Sequence, residues 1–80
     1  MSLVEKIEFW KNSGNKRSLG LLERQAGISK ANLSRIASGK RKPRLSTAMI
    51  ILSVICSTRQ EAEGVLANDY PGYVSLPFSV

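Results

Sequence analysis

The residues best suited to chemistry lie in one stretch, Ser29 to Arg44, with the sequence SKANLSRIASGKRKPR. On a helix turning about 100° per residue, Leu33 and Ile36 mark one side. Ala31, Ser34, Arg35 and Ser38 point away from it, with Lys30 and Asn32 on the flanks. Such a face differs from ordinary solvated surface, because its residues are small or hydrogen-bonding and carry one arginine. Small side chains let a helix lie close to base edges. Arginine and asparagine form paired hydrogen bonds to guanine and adenine respectively. Lys40, Arg41, Lys42 and Arg44 then flank Pro43 in a basic loop suited to phosphate contacts, which add affinity without reading sequence.

Other chemistries find no support in the chain. It has no histidine, so the usual general base is missing. Glu5, Glu8, Glu23, Glu61, Glu63 and Asp69 form no convincing acid–base pair, and Cys56 has no histidine partner for nucleophilic attack. One cysteine without histidine cannot build a zinc site. No G-x-x-x-x-G-K loop cradles a phosphate. The expectation is a non-enzymatic chain with no metal and no cofactor. Aromatic residues are few, which gives single-stranded RNA little to stack on.

The elements that must position these residues read as helices. Ser18 is placed to cap a short helix from Leu19 to Gln25 that packs through Leu19, Leu22 and Ala26. Gly20 weakens it by roughly 1 kcal/mol relative to alanine. Gly27 suits a left-handed turn, Ile28 plugs that turn, and Ser29 caps the next helix, Lys30 to Ser38. Gly39 closes that helix. Two short helices joined by a tight glycine turn are the layout of a helix-turn-helix.

Around this unit the remaining segments look like support. Ser2-Leu3-Val4-Glu5 has capping-box spacing, so a first helix starts at Leu3 and ends in the turn residues Asn12-Ser13-Gly14-Asn15. Leu3, Ile7 and Trp10 share one side of it, and Phe9 and Trp10 are both expected in the core. A fourth helix, Leu45 to Cys56, carries the stripe Leu45, Ala48, Met49, Leu52 and Ile55. Ile50, Ile51 and Val54 lie outside the stripe, so the helix is either buried on most sides or meets a second subunit there. Thr58 and Glu61 repeat the capping-box spacing and open a fifth helix to Ala67, with Ala62, Val65 and Leu66 inward. The segment 68–80 is apolar and broken by Pro71-Gly72. Pro77 allows at most an edge strand, and Tyr73, Val74, Leu76 and Phe78 pack on the domain or on a second copy, the latter being favoured.

At 80 residues the chain is one domain, here 1–67, followed by the tail 68–80 as a possible dimerisation segment. An apolar fraction of 42% is ordinary for a globular domain and argues against disorder. The formal charge of +6 is unevenly placed: from Lys16 to Arg44 there are nine Lys or Arg and one acid, Glu23. A basic block in a foldable segment favours a polyanion partner, nucleic acid first. Cys56 lies in the apolar run MIILSVIC and reads as a buried reduced thiol, which suggests an intracellular chain. The longest apolar run falls far short of the ~20 residues a membrane span needs, and no signal peptide is evident.

Gly27-Ile28-Ser29, Leu33-Ser34-Arg35-Ile36, Gly39-Lys40-Arg41-Lys42-Pro43 and Leu45-Ser46-Thr47 together resemble the Cro/CI-type helix-turn-helix domains of phage and bacterial repressors. The resemblance covers roughly residues 3 to 67 without a gap between Gly27 and Thr47. It implies an all-α domain of five helices and a homodimer on double-stranded DNA, with two third helices in successive major grooves. Carried over by position, Lys30, Ala31, Asn32, Ser34 and Arg35 face bases. Ser29, Ser38, Lys40, Lys42 and Arg44 face phosphates, and Lys16, Arg17 and Arg41 of the basic block join them. Ile50, Ile51, Val54, Tyr73, Val74, Leu76 and Phe78 are the dimerisation candidates. Three positions depart from the family pattern. Leu19 stands where glutamine often grips a phosphate, and Ala37 where an acid is common. Glu23 replaces a small alanine, and either pairs with a lysine or arginine or alters the helix crossing. The implied function is a small cytoplasmic, DNA-associated repressor; the alternative is an antitoxin or anti-repressor that holds a small protein partner with the same fold.

Overall fold

The computed structural model describes residues 2–14 and 17–72. Its helices are α1 (Leu3–Asn12), α2 (Leu19–Ala26), α3 (Lys30–Ala37), α4 (Leu45–Ile55) and α5 (Arg59–Asp69), with no strand among the described residues. The all-α, five-helix order follows from local signals. Ser2 and Glu5 form a full capping box: the Ser2 hydroxyl accepts from the Glu5 N–H and the Glu5 carboxylate accepts from the Ser2 N–H. Hydrogen bonds from the Ser2 backbone and then its side chain hold the Glu5 carboxyl below the ordinary carboxylate range. Ser18 and Ser29 cap α2 and α3 by accepting from Leu21 and Asn32 N–H groups. Thr58 caps α5 in the same way, but Glu61 completes no box. Its carboxylate instead accepts from the Ser57 N–H and from the Lys6 ammonium at 3.2 Å, which links α5 to α1.

The core gathers Leu3, Ile7 and Trp10 of α1, Leu22 of α2, and Leu33 and Ile36 of α3. It is completed by Ala48, Ile51, Leu52 and Ile55 of α4 and Val65 and Leu66 of α5. α1 packs against α3, α4 and α5, while α2 packs against α3 and α4. Leu22, Leu33, Ile36, Ile51 and Leu52 are all completely enclosed, and burial of each such side chain stabilises the fold by about 1.5–3 kcal/mol. The two short helices α2 and α3 are thereby held by tertiary packing, since eight residues alone are too few for a stable helix in water.

Four positions differ from the periodicity. Phe9 is exposed, with the Lys6 ammonium 5.6 Å from its ring centre, and only Trp10 of that pair is core. On α4 the buried stripe is Ala48, Ile51, Leu52 and Ile55; Leu45 and Met49 are partly exposed. Ile51, expected on the surplus face, is 0% exposed and is a core residue unable to meet a partner. α5 runs two residues past Ala67 to Asp69, whose carboxylate accepts the Leu3 N–H at 2.8 Å and ties the end of the last helix to the start of the first. Cys56 is half-buried, in an open groove of about 340 Å³ between α4 and α5 lined also by Met49, Leu52, Ala62 and Leu66. Lys16, Tyr73, Val74, Leu76 and Phe78, with the suggested edge strand, lie outside the described residues.

Candidate nucleic-acid interface

The orientation of α3 is set from both of its ends. At its start, Gly27 turns the chain with φ +73°, a left-handed conformation that disfavours residues bearing a Cβ. The Glu23 carboxylate accepts the Lys30 backbone N–H at 2.6 Å, a charge-assisted bond from α2 across the turn. Among the described residues, Glu23 enters no ion pair with a lysine or arginine; it satisfies a first-turn donor of α3. With the Ser29 hydroxyl on the Asn32 N–H, two of the helix's opening donors are held inside the protein.

Leu33 and Ile36 point inward as the spacing requires, and Lys30, Ala31, Ser34 and Arg35 stand exposed on the opposite side. Asn32 stands apart from these four. It is half-buried, and its Oδ1 is enclosed with no hydrogen-bond partner among the described residues. One helical turn before Ile36, it lies only about 40° round the helix from that core residue, close to the inward side.

The basic loop is folded back onto the end of α3. The Arg35 carbonyl accepts from the Lys40 N–H at 3.0 Å, the Arg41 N–H at 3.3 Å and the Ser38 hydroxyl at 3.1 Å. Gly39 makes that reversal with φ +81°. Lys40 and Arg41 therefore begin beside Arg35, and Lys40, Arg41, Lys42 and Arg44 are all exposed. At the far end, the Tyr70 hydroxyl donates to the Pro43 carbonyl, and the Lys42 ammonium lies 4.7 Å from the centre of the Tyr70 ring. Burial, and secondarily the charge of Asp69, push the Tyr70 hydroxyl above its ordinary value. The loop leads into α4, whose N-cap, Arg44, provides no side-chain cap, unlike the caps of the other four helices.

The charge of this surface is uncompensated. Ion pairs join Lys6 to Glu61 and Arg59 to Glu63, on α1 and α5. Among the described residues, Lys30, Arg35, Lys40, Arg41, Lys42 and Arg44 enter none. Arg17 is placed differently from the loop cations: its guanidinium donates to the Ser13 hydroxyl and lies over the Trp10 ring, at the end of α1. Ser29 and Ser38 are exposed but already serve α3 as caps.

Of the surfaces suggested for a second subunit, Ile50 is exposed and Val54 half-buried against the core. No helix is long and apolar enough to cross a membrane, and no three His, Cys, Asp or Glu among the described residues cluster to hold a metal. Two residues of consequence escape sequence patterns. Glu23 acts over seven positions and Tyr70 over twenty-seven, spans that helical periodicity does not connect. Comparison with protein-family models, with curated proteins and with solved structures finds no match to this chain.

Proposed function

We propose that the protein is a sequence-specific DNA-binding transcriptional regulator, a small dimeric repressor that sets α3 in the major groove of a palindromic operator. One observation carries this: six exposed cations run from α3 through the loop to α4 with no ion pair among the described residues, around a face of small residues. A protein gains nothing from such self-repulsion in isolation, and a polyanion relieves it. Ala31 and Ser34 leave room for close approach, Arg35 and Lys30 supply donors for base edges, and Lys40, Arg41, Lys42 and Arg44 supply phosphate contacts. The enclosed Asn32 Oδ1 would have to rotate outward to pair with adenine, so base reading is assigned first to Lys30, Ala31, Ser34 and Arg35, with Asn32 beside them. Repression would follow from occupancy, a bound dimer excluding polymerase from a promoter.

The test is selection of bound duplexes from a random pool at physiological salt, followed by a salt titration on the winner. A palindromic motif with half-sites about one helical turn apart is expected. Enrichment of no motif, with a steep salt slope, would rule the repressor out.

A second reading, an antitoxin or anti-repressor that binds a small protein, is favoured by the apolar strip of Leu45, Met49 and Ile50 beside the α4–α5 groove. Copurification of a stoichiometric small partner from the native cell distinguishes it.

A further inference from the structure

Resting on the DNA-binding proposal, we infer that Tyr70 is a positioning residue of the interface: through Pro43 and Lys42 it fixes the basic loop in the register that meets phosphates. The loop has two anchors of different kinds. Its first residues are bonded to the Arg35 carbonyl, an anchor belonging to α3 itself. Its last residues are bonded to nothing on α3; they are held by Tyr70, at the C-cap of α5, twenty-seven positions away.

The two contacts of Tyr70 do separate work. Its hydroxyl donates to the Pro43 carbonyl and fixes the backbone where the loop turns into α4. Proline has no N–H to contribute, so this carbonyl is the hydrogen-bonding group Pro43 offers there. The ring face receives the Lys42 ammonium, which restricts a long flexible side chain while leaving it exposed on its other side. A lysine ordered before binding loses less rotamer freedom when it meets a phosphate. Tyr70 is itself held, half-buried against the core, and its helix is tied to α1 by Asp69 on the Leu3 N–H. The last helix thereby becomes part of an interface whose reading head is the third.

The experiment uses the full chain, with Tyr70→Phe removing only the hydroxyl and Tyr70→Leu removing hydroxyl and ring. In the free protein, the backbone N–H order parameters of Lys42 and Arg44 are expected to fall in Tyr70→Phe, while that of Arg41, whose N–H is bonded to the Arg35 carbonyl, changes little. The ring-current shift of the Lys42 ε-methylene protons is expected to persist in Tyr70→Phe and vanish in Tyr70→Leu. On a mixed-sequence duplex, Tyr70→Phe is expected to bind about three- to tenfold more weakly, because ordering the loop on the phosphates then costs up to what one such hydrogen bond contributed beforehand. The effect of Tyr70→Leu is expected to shrink sharply in a Lys42→Ala background, a coupling that a merely structural tyrosine does not produce. Unchanged order parameters at Lys42 and Arg44 in Tyr70→Phe, or fully additive effects with Lys42→Ala, overturn the inference. If the wild-type chain binds no duplex, the DNA-binding proposal fails by itself, and the order parameters and the ring-current shift alone decide whether Tyr70 holds the loop.

Discussion

At the scale of single residues, the interface divides into groups that would read and groups that would only attract. Arg35 projects from the outer face of α3, so Arg35→Ala is expected to lose about 1–3 kcal/mol of discrimination at one base pair. Lys42 sits in the loop, and Lys42→Ala is expected to weaken every sequence alike and lower the salt slope by about one. Competition binding on a set of single-base operator variants separates the two; uniform weakening by Arg35→Ala would remove it from the reading group. Cys56 gives an independent check on the fold. Burial in the α4–α5 groove pushes its thiol above the ordinary range, so less of it is thiolate at any given pH. A disulfide-exchange reagent at pH 8 is expected to react more slowly with Cys56 than with free cysteine, and the rate should climb as pH rises past the ordinary thiol value. A profile matching free cysteine would place the side chain in open water. The caps were legible here, because Ser2, Ser18, Ser29 and Thr58 each act on a residue three positions on. Glu23 was visible as an oddity, but its partner is a backbone N–H that no side-chain pattern announces.

At the scale of elements, α4 shows how a hydrophobic pattern underdetermines a face. The expected stripe and the observed one share Ala48, Leu52 and Ile55, and differ in exchanging Leu45 and Met49 for Ile51. A helix apolar nearly all round carries no internal mark of which side is buried. The crossings with α1, α2 and α5 make the choice. Ile51→Ala is therefore expected to destabilise the fold by about 2–5 kcal/mol, through lost burial and the cavity left behind. Ile50→Ala, one position along and 46% exposed, is expected to change stability by under about 1 kcal/mol. Urea melts of the two variants check this; equal losses would mean the face is assigned wrongly. α2 and α3 were plain in sequence by contrast, since Gly27 and Gly39 punctuate them and Leu22, Leu33 and Ile36 fall at helical spacing.

At the scale of the whole molecule, charge is the property that sets behaviour. The net charge of +6 is concentrated on α3 and the loop, while the acids of α1 and α5 lie elsewhere, Glu61 and Glu63 in ion pairs, Glu5 in a cap, and Glu8 and Asp69 on Asn12 and the Leu3 N–H. If the proposed dimer meets phosphates through Lys40, Arg41, Lys42 and Arg44 of each subunit, its affinity is expected to fall by several orders of magnitude over a fourfold rise in salt. Fluorescence anisotropy across that range gives the slope. A shallow slope would mean that the loop does not meet phosphates, whatever α3 does.

The amino-acid sequence by itself determined the five helices, their caps, the glycine turn before α3 and the position of the basic block. Each of those depends on residues a turn or less apart, or on charge summed along the chain. Only the tertiary structure decided that Phe9 faces out and Ile51 in, that the Asn32 Oδ1 is enclosed, and that Glu23 and Tyr70 hold the two ends of the segment from α3 through the basic loop. Those outcomes depend on how helices cross, and a crossing is fixed jointly by all the side chains at a contact rather than by the spacing within one helix.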